Sequence, residues 1–246
     1  MESYIKFTNQ TQGRDRIFRA AQYACACVKY LIRNNAAKKE LAEKLRNLES
    51  SLSAGRKLFR LGNTVSSVDA AAHALQLTDP VLQLCLTGAH LSRALYFVCD
   101  NVLWARAVGL ALGLDKERWG LRASYCYLLS LLLSLLRDAY VLARLAAYYA
   151  RGQQRCRQAP PPPSSTDNGS ACCQPPGSVL PSNLMEVLWA SPAVALDVVK
   201  NMCDLFIPLD RLGVYRSSAG VVGLCGLLSS LIGILTLLEP RLKLKP

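Results

Sequence analysis

Several ingredients of ordinary chemistry are scarce in this 246-residue chain. It has two histidines, His73 and His90, and 17 acidic residues against 29 Lys and Arg, a net charge of +12. Only 19% of its residues are charged, against about 25% in ordinary globular proteins. Its ten cysteines include no C-x-x-C pair, and neither histidine stands at ligand spacing from a cysteine pair. A zinc site needs four converging ligands, usually supplied as spaced pairs, so no metal site is expected. Gly-rich phosphate loops, H-E-x-x-H and G-x-S-x-G are all absent, and the acids are scattered helix charges. No catalytic residue, no cofactor and no enzymatic activity are expected. The N-terminus lacks the apolar run of a secretory signal, and most cysteines lie in apolar stretches, as reduced thiols do.

What is present is apolar and unevenly basic. Hydrophobic residues make up 51% of the chain, too many for global disorder. Residues 1–60 hold 13 Lys/Arg and 5 Asp/Glu, whereas residues 159–246 hold six of each. A basic, apolar chain suits an anionic membrane surface. Nucleic acid is not an expected partner, because no aromatic interleaving or reader motif accompanies the charges.

The pattern predicts an all-α membrane protein: N-terminal amphipathic helices, a mid-chain helical bundle and a C-terminal transmembrane helix. Residues 1–79 form a basic amphipathic region. From Arg14 to Arg33, Ile17, Ala21, Ala24, Val28 and Leu31 trace one helical stripe. A second stripe runs Leu41, Leu45, Leu48, Leu52, Gly55, Phe59, widened by Leu58, Leu61 and Val65, with Arg46, Arg56, Lys57 and Arg60 on its flank. A basic flank beside a Leu/Phe face is what an interfacial membrane helix requires. A surface helix packed on a protein core has the same pattern, and both readings stand.

Residues 80–151 read as apolar helices. The first, reaching toward Leu114, has a possible span at about 84–105 but carries Arg93, Asp100 and Arg106. Charges at the bilayer centre cost about 2.5–3.5 kcal/mol on insertion scales. Arg93 and Asp100 are seven apart, on one face, and can neutralise one another or a partner helix. The uncharged run at 123–136 has 14 residues, short of the roughly 20 that cross a bilayer, which favours a buried bundle helix. Residues 152–183, with Pro160 to Pro163 in a row, read as a disordered linker. Residues 184–246 form a C-terminal block. Within it, 217–238 are 22 residues without charge, about 33 Å of helix, and read as a transmembrane helix. Its small residues Ala219, Gly223, Gly226, Ser230 and Gly233 form a seam suited to close helix association.

Four stretches carry a family resemblance. Phe7-Thr8-Asn9-Gln10-Thr11-Gln12-Gly13-Arg14-Asp15-Arg16, the run from Leu48 through Gly62, Leu95-Tyr96-Phe97-Val98-Cys99-Asp100-Asn101-Val102-Leu103-Trp104, and Cys203-Asp204-Leu205-Phe206-Ile207-Pro208-Leu209-Asp210-Arg211-Leu212-Gly213 resemble the peroxisomal membrane elongation factors of the peroxin-eleven family. The resemblance covers nearly all of the chain except 152–183. It implies an integral peroxisomal membrane protein with both termini in the cytosol, which tubulates the organelle and promotes its proliferation and fission. It also implies self-association into homo-oligomers, recruitment of a fission adaptor and a dynamin-related GTPase, and delivery by the import receptor for peroxisomal membrane proteins. On this reading the second stripe inserts into one leaflet, with Arg56, Lys57 and Arg60 at the headgroups. Two alternatives stay open: a membrane pore for metabolites lined by Arg93 and Asp100, and an anchored adaptor that does not remodel membranes.

Overall fold

The computed structural model describes residues 2–35, 38–111, 113–158, 187–188, 190–242 and 244. The proline-rich run, Cys172, Cys173, Lys243 and Lys245 lie outside the described residues. The fold is all-α, without a strand among those residues. The helices described in full are α1 (Glu2–Ile32), α2 (Lys39–Phe59), α3 (Asn63–Ala74), α4 (Pro80–Ala107), α5 (Lys116–Gln158), α6 (Pro192–Arg211) and α7 (Ala219–Leu238), followed by a short 3-10 turn at Pro240–Leu242.

Local chemistry sets the boundaries. The Asp79 carboxylate accepts from the Val81 and Leu82 amides while Pro80 starts α4 at a position that needs no N–H. The Ser218 hydroxyl caps α7 by accepting from the Val221 amide. Gly62, at φ 85°, occupies the left-handed region and divides what the apolar stripe suggested was one helix into α2 and α3. Gly109, at φ 88°, follows α4, which ends at Ala107 instead of continuing to Leu114. Helix α5 continues to Gln158, into the stretch read as linker.

Six helices close into a ring. Helix α4 packs on α5, α5 on α6, α6 on α7, α7 on α1 and α1 on α2, and α2 returns to α4, with α3 lying along α4. The faces are inverted relative to a water-soluble bundle. On α7, Val221, Leu224, Leu228, Leu231, Leu235 and Leu238 are exposed, and Gly220, Gly223, Gly226, Ser229, Ser230 and Gly233 face inward. On α4, Leu84, Leu91, Leu95 and Val98 point out while Cys85, Ala89, Ser92, Cys99 and Asp100 point in. On α5, Leu121, Tyr125, Leu129, Leu132 and Leu136 point out, and Ser124, Ser130, Ser134 and Asp138 are buried. Apolar rows of this extent on the outside of a polar-cored bundle are what lipid contact demands.

Among the described residues, three helices are long and apolar enough to cross a membrane: Pro80–Ala107, Lys116–Gly152 and Ala219–Leu238. The second corrects the reading of 123–136 as a buried helix. Exposed residues before and after the uncharged run lengthen the apolar face, and only 22% of its most apolar window is buried. The apolar stripe on α1 faces outward. Ile17 and Leu31 are 59% and 79% exposed, because α1 turns its polar and aromatic face toward α7.

The inversion can be tested by substitutions on the two faces of α7. A Cβ on Gly226 would lie 2.6 Å from the Tyr23 ring. Gly226→Leu is therefore expected to lower stability by about 1–3 kcal/mol, as overpacking does, whereas Leu228→Phe on the outer face leaves the melting temperature within error. Equal effects of the two substitutions in the detergent-solubilised protein would contradict this arrangement.

Candidate functional site

The residues read as a membrane-inserting helix separate into two groups. Leu41, Leu48 and Leu58 on α2, Leu61 in the following turn and Val65 on α3 are exposed. Leu45, Leu52 and Phe59 are half-buried. Phe59 meets Phe18 of α1 edge to face at 5.0 Å, and the Phe18 ring lies 3.4 Å from where a Cβ on Gly55 would sit. The stripe is thus divided, half-buried against α1 on one side and exposed on the other.

The basic residues require a correction. Arg56 and Arg60 do not reach outward to headgroups. Arg56 Nε and Arg60 Nε both donate to Asp15 Oδ1 at 3.1 Å, and Arg56 Nη1 donates to Gln22 Oε1 at 2.7 Å. Arg60 Nη1 reaches the Tyr96 hydroxyl at 2.5 Å and Asp100 Oδ2 at 3.2 Å. The physical cause is the placement of carboxylates: half-buried Asp15 and buried Asp100 need counter-charges, and the last turn of α2 is the element that brings them. Burial alone would raise the Asp15 carboxyl, but the guanidinium groups of Arg60 and Arg56 outweigh it and hold it below the usual carboxylate range. Asp100 therefore pairs with Arg60 from another helix, not with Arg93, which is half-buried on α4. Lys57 is half-buried beside Leu103 and Arg106.

Two further polar clusters join helices that the sequence reading did not pair. Arg19 of α1 meets Asp204 of α6 at 2.5 Å, and Ser229 of α7 donates to the same carboxylate. Arg137 bridges Asp138 and Asp197, Lys200 joins Asp197, and Asn201 Nδ2 donates to Asp138 Oδ2 at 2.8 Å. The available signal was the spacing Arg16, Arg19, Tyr23, Tyr30, a helical stripe opposite the apolar one.

The small-residue seam is real in shape and occupied within the chain. Gly223, Gly226, Ser230 and Gly233 are buried, Ala219 is exposed, and Gly220 and Ser229 extend the row. Helix α1 fills it: Tyr30 lies against Gly220, Cys27 against Gly223, Tyr23 against Gly226 and Arg16 against Gly233. Arg16 Nη1 also donates to the Gly233 carbonyl. Among the described residues, no group of three or more His, Cys, Asp or Glu side chains is placed to hold a metal ion.

Polar clusters sealed inside an apolar-coated ring, with three helices able to cross a bilayer, define a helical integral membrane protein that carries additional amphipathic helices. The profile of the family described as Peroxisomal biogenesis factor 11 (PEX11) matches residues 1–238, and the chain belongs to that family. It is 45% identical over 249 residues to human Peroxisomal membrane protein 11A, covering 100% of this chain and 99% of that one. It is 44% identical over 259 residues to human Peroxisomal membrane protein 11B, with 100% of both chains covered. A Peroxisomal membrane protein 11 homolog of Dictyostelium discoideum is 25% identical over 237 residues, covering 95% of this chain and 92% of that one. No solved structure matches the chain.

Two experiments test the site geometry. A Cβ on Gly223 would lie 3.0 Å from Cys27 Sγ, so Gly223→Cys is expected to form a disulfide with Cys27 within one chain under mild oxidation. A faster-migrating monomer that is absent when Cys27→Ser is added would establish this contact, and a disulfide-linked dimer instead would place the seam between copies. Asp15→Asn leaves Arg56 and Arg60 short of a counter-charge and should cost on the order of 3 kcal/mol. Because the folded pKa of Asp15 is depressed, its contribution is complete above the unfolded value near about 3.9. It is lost as pH falls further, so the stability difference between wild type and Asp15→Asn should shrink below about pH 4.

Proposed function

We propose that this chain elongates the peroxisomal membrane by laying its amphipathic helices into one leaflet, and so promotes peroxisome proliferation and fission. The observation that carries this is the exposed row Leu41, Leu48 and Leu58, continued by Leu61 and Val65, on helices outside the three candidate spans. Lys39, at the start of the helix, is exposed, and Lys44, one turn from both Leu41 and Leu48, is exposed and paired with Glu40 at 2.7 Å. A cation near an anionic surface contributes about 1 kcal/mol. Leucines laid into one leaflet expand it relative to the other and favour curvature. Family membership and the names of the human relatives, both peroxisomal membrane proteins, support the organelle.

Self-association belongs to the same reading and falls on the outer faces of the ring, because α1 fills the glycine seam. Recruitment of a fission adaptor and a dynamin-related GTPase, and delivery by the import receptor for peroxisomal membrane proteins, follow from the family resemblance. The placing of both termini in the cytosol is supported by the antiparallel packing of α1 on α7: Gly13 lies against Leu237, at the last turn of the C-terminal span.

A second reading, a pore for small solutes, is favoured by the polar interior of the helix ring. Many of the interior charges are already engaged with one another, which makes elongation the better account. A conductance in planar bilayers that is abolished by Arg93→Ala would reverse that preference.

Elongation is tested best on the exposed leucines, since Phe59 also holds α1. Leu41→Glu combined with Leu48→Glu should leave targeting and thermal stability intact while reducing tubules in cells, and tubulation of anionic liposomes by the purified chain, to background. Undiminished tubules from the double variant would exclude this face as the remodelling element.

A further inference from the structure

Basic side chains from three helices meet at a cleft, and of these only Lys57 has a part in the elongation reading. The cleft holds about 250 Å³ and is lined by Lys57 of α2, Leu103, Arg106 and Ala107 of α4, and Lys116 of α5. Arg211, at the end of α6, lies across the first turn of α5, where a Cβ on Gly120 would sit 2.7 Å from its Nη2. No acidic residue lines the cleft, and among the described residues none of its three cations forms an ion pair. The contrast with the interior is sharp, since Arg56, Arg60, Arg19 and Arg137 each have a carboxylate partner.

The unbalanced charge has two further signs. Arg106 Nε is buried and has no hydrogen-bond partner among the described residues. A buried donor left unpaired destabilises the fold, so an acceptor in the cleft would recover that cost. The Lys57 ammonium is pushed below its ordinary pKa by burial first, and then by the positive charges of Arg211, Lys116 and Arg60, against the opposing pull of Asp100. A planar guanidinium flanked by ammonium groups is complementary to tetrahedral oxyanions. Basic pockets at the ends of membrane helices take phosphorylated headgroups.

We propose that Lys57, Arg106 and Lys116 form a binding site for a phosphate group, carried by a lipid headgroup or by a small soluble anion. The phosphate oxygens accept from Arg106 and the two ammonium groups, and the apolar walls Leu103 and Ala107 limit the site to one anionic group. The site joins the end of α2 to the α4–α5 end of the ring, so occupancy stiffens the attachment of the proposed wedge helix. The proposal does not depend on that helix remodelling membranes.

The test uses the full chain in neutral detergent micelles, with Trp104 and Trp119, near Arg106 and Lys116 in sequence, as fluorescence reporters. One arm titrates inorganic phosphate against chloride at constant ionic strength, and the other dopes the micelles with phosphatidic acid against phosphatidylcholine. A saturable change in fluorescence and melting temperature is expected, at least fivefold weaker in Arg106→Gln and in Lys57→Gln and unaltered in Arg46→Gln, an exposed cation elsewhere on α2. Saturation by inorganic phosphate identifies a soluble ligand, and a response to phosphatidic acid alone identifies a headgroup. Should Arg106→Gln not fold, Lys57→Gln decides. Absence of saturation with both probes, or equal weakening in Arg46→Gln, would overturn the proposal.

Discussion

The fold depends on pairing buried carboxylates with arginines from other helices. Asp15, Asp100, Asp138 and Asp204 belong to four different helices, and Asp15, Asp100 and Asp204 draw their guanidinium partners from another element. Burying an ion costs several kcal/mol, and the pair recovers it only when geometry and hydrogen bonding are good. Such pairs add little net stability compared with hydrocarbon packing. In a bundle whose outside is leucine, however, they fix which helix stands beside which. Lipid contact gives no hydrophobic reason for one Leu-coated helix to prefer another. The interior charges supply that preference, and the closed order α1, α2, α4, α5, α6, α7 follows from it.

Close approach is the second requirement. Arg16 and Arg19 reach α6 and α7 because the inner face of α7 presents Gly220, Gly223, Gly226 and Gly233 to the tyrosines of α1. A larger residue at these positions would move α1 outward and separate Arg19 from Asp204. The glycine seam and the ion pairs are therefore one device: the seam sets the spacing that the charges need. It also ties the N-terminal helix to the C-terminal span, although more than 180 residues separate the paired positions in sequence.

Much of this was legible in the residues. The all-α class, the C-terminal span and the seam follow from uncharged length and small-residue spacing, which are local properties. The direction of each face was not local. Ile17, Val28 and Leu31 form a regular helical stripe, and in water that stripe would face a core. It faces outward because the α1 partner is a glycine row flanked by buried carboxylates, a fact held some 200 residues away. Arg56 and Arg60 misled for the same reason. Within α2 they look like a basic flank, and only the placement of Asp15 and Asp100 turns them inward. The division at Gly62 was visible as a glycine, but Leu61 and Val65 continue the apolar periodicity across it.

The inward turn of Arg56 and Arg60 changes what an inserted α2 can do. Were both arginines at the surface, the helix would bind the membrane along its whole length and remain loosely connected to the spans. Instead its last turn is fastened to α1 and α4 by Asp15 and Asp100, while the row containing Leu41 and Leu48 stays free. A wedge tied to α1 midway by Lys29 and Glu49, and at its end through Asp15, cannot diffuse away from the protein that carries it. On the proposed reading its depth and orientation would be set by the helix ring, so each molecule would add leaflet area at a fixed place and angle. Curvature would then scale with the number of rings gathered in a patch of membrane rather than with the affinity of a single amphipathic helix for lipid.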